Sequence, residues 1–400
     1  MSRLTNSIGT VLMTTALVGC GTETPSGTEA DAEAVRGVTQ TEILLGSHTD
    51  LSGPTAIWGV GSINGARMRF DEENDKGGVH GRLIRFIVED HNYQVPRAIQ
   101  AANKLIHRDQ VFAMVFSLGT QTNNTVLPGQ LDAGVPNLFP YTGARSMGEP
   151  FHRLKFTQRG VYYDEIRAGM RYAVEELGRS RPCVIYQDTD YGHENLDAVN
   201  DQAAEMGFEV VASSAHKPTE TEFTAAVIRL RDAGCDVVFM GTVHRDTALI
   251  LETARKMAWE GVIFIGNDVN YGDVIAGLPS GAAEGFMAFG HIAEIYPDEE
   301  HSEEVAKWID RYQGRFGVKP VVAAIEGYRG ADLLVQALHA AGPELTVNGL
   351  ITALEGFTDH TDMFGYSLSF GPDDHNGVSE SVLSVVENGR WVTRAESVRY

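Results

Sequence analysis

Six loops of polar, aromatic or glycine residues each follow a short apolar strand and precede an amphipathic helix. They span residues 49–53, 117–121, 141–143, 188–191, 242–244 and 267–268. In an open parallel sheet, ligands bind in the crevice outside the carboxyl ends of the strands. Backbone N–H groups and hydroxyls at helix N-termini favour a carboxylate, and a buried aspartate favours an ammonium group. Three such loops in each half of the chain predict two sheets that grip a small ligand in a shared cleft.

Sequence motifs of catalytic and cofactor sites are missing or misplaced. Gly59, Gly61 and Gly65 resemble part of a dinucleotide-binding loop, but the third glycine comes one place late and the run does not directly follow a strand. The chain has no Gly-x-Ser-x-Gly nucleophile motif, and its 13 histidines have no metal-binding spacing. We therefore predict a binding protein that is not an enzyme and needs no cofactor or metal ion. An undetected hydrolase is the alternative.

The N-terminus has the pattern of an export signal. Arg3 precedes an apolar stretch at 8–18 that is too short to span a membrane. Leu17-Val18-Gly19-Cys20 resembles the lipobox of bacterial lipoproteins, which implies a signal peptide at 1–20 and a lipid on Cys20. An ordinary signal peptide that happens to contain a cysteine is the alternative. Residues 21–39 are poor in apolar residues and are predicted to form a flexible tether.

Composition limits the partners of the remaining chain. The net charge is −22 over 400 residues, and no basic stripe is present to meet phosphates, so nucleic acid is excluded as a partner. A body of this length suits two lobes better than one core. No segment after the signal is apolar enough to cross a bilayer. We expect contact with the membrane through the lipid anchor only.

Two cysteines remain once Cys20 is set aside. Cys183 and Cys235 each lie at the start of a predicted strand in the second half of the chain. A disulfide between them is compatible with an oxidising compartment. Its geometry cannot be read from the sequence, so both the paired and the free state stay open.

Strands and helices alternate regularly after the tether. Strands are predicted at 42–46, 82–89, 111–116, 135–139, 184–186, 209–212, 237–240 and 262–265. Helices are predicted at 63–74, 95–108, 122–133, 162–177, 194–206, 221–232 and 247–258. The tail adds helices at 303–316, 323–341 and 348–354 and strand-like segments at 367–370, 381–387 and 390–393. This alternation predicts an α/β fold with doubly wound parallel sheets.

Several motifs together resemble the type I periplasmic binding proteins of the leucine/isoleucine/valine-binding class. Residues 46–90 have the turn Leu51-Ser52-Gly53, the pair Trp58-Gly59, a helix, a Gly77-Gly78 stop and an acidic strand end. Further matches lie at 188–192 and 264–268, and the resemblance covers about residues 41–394. It implies two lobes joined by a three-segment hinge, with residues 40–157 and 290–377 in the first lobe and 158–289 and 378–400 in the second. It also implies a monomer in the periplasm or at the cell surface that delivers a small molecule to the permease of an ABC transporter.

The resemblance also implies the residues that contact the ligand. Trp58 matches an aromatic lid, Thr120 matches a hydroxyl that holds a carboxylate, and Asp268 matches an acidic partner of the ligand ammonium. The other implied ligand contacts are Gln121, Tyr141, Thr142, Gly143, Tyr191, Val243 and His244. Each has a structural alternative: Asp268 and the threonines could cap helices, and Trp58 could be a core aromatic.

Two departures from the family pattern concern the ligand. The family has a ligand-binding threonine in the loop at 141–143, but in this chain the threonine of that loop is shifted to Thr142. Val243 lies where the family often has a tyrosine. The pocket is therefore expected to be reshaped. We predict an amino acid or a related compound as the ligand, with a bulkier apolar or aromatic compound as the alternative. The sequence leaves open whether the clamp serves transport or sensing.

Overall fold

The structure is a computed structural model that describes residues 34–296 and 298–399. Cys20 and the predicted signal peptide lie outside the described residues. The first sheet has five parallel strands in the order β2-β1-β3-β4-β5. These strands are β1 (Glu42–Thr49), β2 (Leu83–Asp90), β3 (Ala113–Val115), β4 (Asn137–Leu138) and β5 (Lys155–Phe156). The intervening helices are α1 (Ala56–Asn74), α2 (Val95–Asn103) and α3 (Thr120–Asp132), and a π-helical turn, Lys104–Arg108, extends α2.

The second sheet has seven strands in the order β14-β13-β10-β9-β8-β6-β7. Its strands are β6 (Pro182–Gln187), β7 (Ala212–His216), β8 (Val237–Gly241), β9 (Ile263–Gly266), β10 (Met287–Gly290), β13 (Glu380–Glu387) and β14 (Arg390–Arg399). The first five are parallel, and β13 and β14 join as an antiparallel pair. Its helices are α4 (Tyr162–Glu175), α5 (Asp190–Glu205), α6 (Thr224–Asp232), α7 (His244–Lys256) and the short α8 (Asp273–Ala276).

The chain passes between the two sheets three times. It leaves the first sheet after β5, returns after β10 and crosses again before β13. Between the last two crossings lie α9 (Glu303–Phe316), α10 (Val322–Ala341), α11 (Val347–Glu355), β11 (His360–Thr361) and β12 (Ser367–Leu368). Two lobes joined by a three-segment hinge follow from this path, and the predicted fold class is confirmed.

Glycines allow α1 and α10 to pack with their backbones in close contact. A Cβ at Gly65 would lie 2.0 Å from the carbonyl oxygen of Ala324, and one at Gly327 would lie 2.0 Å from that of Ser62. A Cβ at Gly61 would lie 2.9 Å from the Ala323 side chain. Of the glycines that resemble part of a dinucleotide loop, Gly61 and Gly65 therefore serve helix packing, whereas a Cβ at Gly59 would lie 2.0 Å from the carbonyl oxygen of Asp50.

A disulfide joins Cys183 and Cys235, with an S–S distance of 1.98 Å. Strands β6 and β8 are neighbours in the sheet, and Cys183 pairs in register with Val238. Cys235 lies two residues before β8, so the two sulfurs meet at the amino ends of adjacent strands. Both cysteines are buried.

Some predicted boundaries were wrong. The strand predicted at 209–212 lies at Ala212–His216, because its polar sequence, Ala-Ser-Ser-Ala-His, does not have the apolar character of a buried strand. Helix α1 begins at Ala56, well before the predicted start at 63, because Trp58 and three glycines obscure its helical pattern. The short β5 and β10 were not predicted.

The tether boundary also needs correction. The compact body begins at Val35, whereas the tether was predicted to extend to residue 39. Val35 and Val38 pack against the core of the first sheet, and the Arg36 guanidinium donates to the carbonyl oxygen of Ile106. In the described part of the chain, no helix combines the length and the apolar character that a membrane span requires.

Candidate functional site

Loops at the carboxyl ends of eight strands enclose a cavity of about 40 Å³. At least one lining residue comes from the segment after each of the strands β1 to β5 of the first sheet and β6, β8 and β9 of the second. The lining residues are Thr55, Trp58, Tyr93, Leu118, Gly119, Thr120, Tyr141, Thr142, Arg159, Tyr162, Tyr191, Val243 and Val269. The strand ends of both sheets therefore face one cavity, as the sequence predicted from the positions of the loops.

Local hydrogen bonds hold the α1 end of the site in place. The Asp50 carboxylate, just after β1, accepts the backbone N–H groups of Ser52, Gly53 and Thr55 and the Thr55 hydroxyl. This carboxylate satisfies the donors of the turn that precedes α1. It thereby fixes Thr55 and positions Trp58, one turn into the helix, against the cavity.

Five of the thirteen residues that line the cavity are aromatic. Trp58 lies 5.6 Å from Tyr141 between ring centroids, and Tyr162 lies 5.4 Å from Tyr191 in an edge-on arrangement. Burial raises the pKa of Tyr141 and Tyr191 well above the ordinary value and raises the pKa of Tyr162 to about 12. These phenols are therefore neutral at physiological pH. The wall offers aromatic surface with tyrosine hydroxyl groups at its edges, and it therefore suits a ligand with an apolar or aromatic part.

Several contacts cross the cleft between the sheets. The Trp58 indole N–H donates to Nδ1 of His244, and the two ring centroids are 4.5 Å apart. Burial, with a smaller contribution from Arg159, lowers the pKa of His244 to about 3, so its ring is neutral and can accept this bond. The Asn124 amide donates to the Asp190 carboxylate over 2.8 Å. These contacts join the parts of the chain that carry the two sheets.

The polar end of the cavity lies at the start of α3. The Thr120 and Thr142 hydroxyls are 2.8 Å apart. Gly119, which precedes α3, has no side chain to cap the helix, and its φ of 98° is one that glycine adopts readily. The first N–H groups of a helix lack partners within the helix and carry partial positive charge. This end of the cavity is therefore suited to an anionic or hydrogen-bond-accepting group.

Arg159 joins both lobes in a buried ion cluster. It lies in the first crossing segment, and its terminal nitrogens donate to Asp268 over 2.6 Å and to Glu326 over 2.9 Å. All three side chains are 1% exposed. Burial alone would lower the pKa of Arg159, but Asp268 and Glu326 outweigh it and hold the pKa well above the usual value. Arg159 is therefore a permanent cation in the cavity wall.

His291 and Glu165 complete this cluster behind the cavity. Nδ1 of His291, in the second crossing segment, lies 2.8 Å from Asp268. Burial and the charge of Asp268 raise the pKa of the Glu165 carboxyl. Glu165 accepts the Asp268 backbone N–H over 2.9 Å and the Ser381 hydroxyl over 2.7 Å. Ser381 lies at the start of β13, so the cluster reaches all three places where the chain crosses between the lobes.

A family profile described as periplasmic binding protein matches residues 42–390. The chain belongs to the periplasmic binding protein family. Its curated relatives include the Leu/Ile/Val-binding protein homolog 1 of Brucella suis, which is 23% identical over 313 residues, or 75% of this chain and 79% of the relative. The predicted resemblance is confirmed.

Solved structures with the same fold include binding proteins for different ligands. The fatty acid ABC transporter substrate-binding protein from Thermomonospora curvata aligns with a TM-score of 0.80 and 22% identity over 92% of this chain and 94% of its own. A branched-chain amino acid ABC transporter protein from Thermus thermophilus with bound valine aligns with a TM-score of 0.80 and 18% identity over 91% and 98%. At these identities the likeness establishes the fold alone.

Six of the ten ligand contacts predicted for this periplasmic binding protein line the cavity. They are Trp58, Thr120, Tyr141, Thr142, Tyr191 and Val243. Gln121 and His244 lie behind lining residues: Gln121 is 3.4 Å from the Tyr93 hydroxyl, and His244 contacts Trp58. Gly143 allows its loop to pack closely against the backbone of Gly160, because a Cβ at residue 143 would lie 2.1 Å from the Gly160 carbonyl oxygen.

Asp268 has a different environment from the predicted one. It is 1% exposed, does not line the cavity, and its carboxylate binds Arg159 and His291. A carboxylate that already has two cationic or donor partners is not available to a ligand ammonium. The geometry therefore does not favour the role that the family resemblance implied for Asp268.

Sequence reasoning missed five residues that matter in this periplasmic binding protein: Tyr93, Arg159, Tyr162, Glu326 and His291. The signal for Tyr93 was present, because it follows β2 at the same edge as the predicted loops. Arg159 and Tyr162 follow β5, whose two residues are too few to be recognised as a strand. Among the described residues, no group of His, Cys, Asp and Glu side chains has the arrangement of a metal site.

Proposed function

We propose that this protein is an extracytoplasmic receptor that closes on a small organic ligand and presents it to the permease of an ABC importer. The observation that carries the proposal is a cavity lined by residues from both sheets and covered by the Trp58–His244 contact. A ligand held there would contact both lobes and would therefore favour the closed state over the open one. Opening would break the cross-cleft contacts and release the ligand.

The moving bodies in this proposal are residues 40–157 with 290–377 and residues 158–289 with 378–400. The three crossing segments would act as the hinge. Besides Trp58 and His244, the contacts that would break are Asn124 with Asp190 and the Arg145 backbone N–H with Glu194, at 2.8 and 2.9 Å. The first is an exposed hydrogen bond that water can replace at small cost, whereas the Glu194 side chain is only 11% exposed.

We further propose that Cys20 carries a lipid and that the residues after it tether the body at the periplasmic face of a membrane or at the cell surface. The export pattern of residues 1–20 supports this. The receptor would act as a monomer and would touch the membrane only through its anchor and the permease. The net charge of −22 gives it no affinity for nucleic acid.

Two ligand classes fit the proposal. An amino acid or related compound is supported by relatives named for leucine, isoleucine and valine and by the Thermus thermophilus protein with bound valine. A more apolar or aromatic compound is supported by the ring-lined wall and by the fatty acid binding protein of the same fold. A cavity of about 40 Å³ favours a compact compound in either class. The bound compound would leave chemically unchanged.

Transport distinguishes this proposal from a sensor that uses the same clamp. The test reconstitutes the full chain with a candidate ABC permease in liposomes and measures uptake of the compound that binds most tightly in calorimetry. We expect uptake to require both the receptor and ATP. Tight binding without receptor-dependent uptake would contradict delivery and favour sensing, and turnover of the compound would contradict a binding protein.

A further inference from the structure

We infer that the ligand is a compact monocarboxylate with an apolar body and no ammonium group, held between the N-terminus of α3 and Arg159. This inference rests on the proposed function, because it specifies the ligand of the same cavity. It replaces the zwitterion expected from the family resemblance with a compound that carries only the negative group.

The first support is the set of free donors at the start of α3. In the described part of the chain, the backbone N–H groups of Thr120, Gln121 and Thr122 have no protein acceptor. The Thr120 and Thr142 hydroxyls lie beside them in the cavity wall. Since α3 is 13 residues long, its dipole adds to the attraction for an anion at this end.

The second support is an unused donor on a buried cation. Nε of Arg159 has no hydrogen-bond partner among the described residues, although the side chain is 1% exposed and lines the cavity. Its guanidinium carbon lies 4.3 Å from the centroid of the Tyr141 ring, so the group is stacked and held in one orientation. A carboxylate is the acceptor that matches a guanidinium donor best.

The third support concerns the ammonium group. The cavity lining contains no Asp or Glu among the described residues. Asp268, the residue that the family resemblance assigns to an ammonium, pairs with Arg159 instead. Arg159 therefore occupies the place beside Asp268 that a ligand ammonium would need. A ligand ammonium would be buried without a carboxylate partner, and burial of an unpaired charge is strongly unfavourable.

The remaining wall defines the body of the ligand. Leu118, Val243 and Val269 provide aliphatic surface, and the rings of Trp58 and Tyr162 provide aromatic surface. A volume of about 40 Å³ is close to that of one water molecule, so any organic acid requires the cavity to widen and a long acyl chain requires the most widening. A branched aliphatic acid or a small aryl acid requires the smaller change.

The test uses two sets of compounds that differ in one group. One set is 4-methylpentanoate, L-leucine and 4-methylpentanamide, and the other is 3-phenylpropanoate, L-phenylalanine and 3-phenylpropanamide. Affinities are measured by calorimetry on the unaltered full chain at pH 7.5. In the set that binds more tightly, we expect the acid to bind at least about 100-fold more tightly than the amino acid and at least about 10-fold more tightly than the amide.

The outcomes separate the ligand class from the proposed function. An amino acid that binds as tightly as its matched acid would overturn the inference and leave the receptor function intact. An amide that equals the acid would overturn the requirement for a negative charge. No binding by any of the six compounds would overturn the ligand class and leave the receptor function to be tested with other compounds.

A variant tests the role of Arg159 separately. Arg159→Lys keeps the charge but loses the rigid fork that reaches two carboxylates and the ligand together. In Arg159→Lys we expect the ratio of the affinity for the acid to the affinity for the amide to fall at least about 10-fold. The control variant Arg167→Lys, on α4 outside the cavity, should keep the ratio of the unaltered protein. An unchanged preference in a folded Arg159→Lys protein would remove Arg159 from the site. If this variant does not fold, the matched compounds on the unaltered chain still decide the ligand class.

Discussion

At the scale of single residues, the partner of a charged side chain determines its role. Asp268 follows β9 in the position that a ligand-binding acid would have, yet its carboxylate lies 2.6 Å from Arg159 and 2.8 Å from His291. Burial alone would raise the pKa of Asp268, but Arg159 and His291 outweigh it and lower the pKa. Asp268 is therefore ionised, and its carboxylate has its hydrogen-bond partners within the protein. We expect it to stabilise the folded protein where the chain crosses between the lobes.

Asp268→Asn tests this contribution. The amide keeps the size of the side chain but leaves Arg159 with one carboxylate fewer in a dry environment. We expect the unliganded protein to lose about 3 kcal/mol in free energy of unfolding. Urea denaturation measures the loss, and Asp201→Asn, on an exposed residue that accepts from Tyr163, serves as the control. A stability equal to that of the control variant would contradict this structural role of Asp268.

His244 gives the closed state a dependence on pH. In the closed cleft, burial and Arg159 lower its pKa to about 3, and Asp268 opposes this shift only in part. In the open cleft, where His244 meets water, its pKa should be near the ordinary value of about 6.5. Because protonation then favours the open state, ligand affinity should be constant above about pH 7 and fall as pH drops below the open-state value.

We expect the affinity for the tightest-binding compound to fall about tenfold between pH 7.5 and pH 5.5. His244→Phe keeps a ring against Trp58 but cannot titrate, so it should remove this part of the dependence. It should also weaken binding by roughly tenfold at pH 7.5, because the indole N–H loses its acceptor. His107→Phe, on an exposed surface, is the control. An identical pH profile in His244→Phe would rule out His244 as the titrating group.

At the scale of elements, the two ends of strand β6 contribute to stability and to the cavity, respectively. In β6, Cys183 near the amino end forms the disulfide, while Tyr191, shortly after the carboxyl end, lines the cavity. The disulfide closes a segment with a sequence separation of 52. Such a cross-link stabilises a protein mainly by restricting the unfolded chain.

Removal of the disulfide should therefore affect stability and not ligand affinity. Cys183→Ala with Cys235→Ala should lower the free energy of unfolding by about 4 kcal/mol, the estimate for a loop of this length. Calorimetric affinity measured well below the melting temperature should stay within about twofold of the unaltered protein. A large loss of affinity in a folded double variant would show that the disulfide also shapes the cavity.

Sequence patterns predict elements best where local chemistry determines them. The loops after β1, β3, β4, β6 and β8 were found because an apolar strand followed by polar residues is a local signal. This signal located Thr120, Tyr141 and Tyr191. Strand β7 was misplaced because the sheet edge lets it carry the polar residues of Ala212–His216.

The buried ion cluster could not be predicted in this way. Arg159 is 109 residues from Asp268 and 167 from Glu326 in the chain, and only the fold brings them together. An aspartate after a strand has the same local pattern whether its partner is a ligand or an arginine. The site was therefore predictable in its location and in most of its wall, but not in its charge balance.

At the scale of the whole molecule, one fold occurs in proteins with different ligands. The same architecture occurs in a fatty acid binding protein and in a protein with bound valine. What these proteins share with this chain is a pair of sheets in one fold. In this chain the strand ends of both sheets meet at one cavity. Under the proposed function, closure of the lobes on a ligand is the central property of the molecule, and the cavity wall determines which ligand binds.

Closure is measured most directly by small-angle X-ray scattering of the full chain with and without the tightest-binding compound of the matched sets. Contacts such as Trp58–His244 and Asn124–Asp190 form only when the lobes meet. We predict that saturating ligand lowers the radius of gyration and that the liganded curve fits the closed structure. A radius of gyration unchanged by a compound that calorimetry shows to be bound would contradict the clamp.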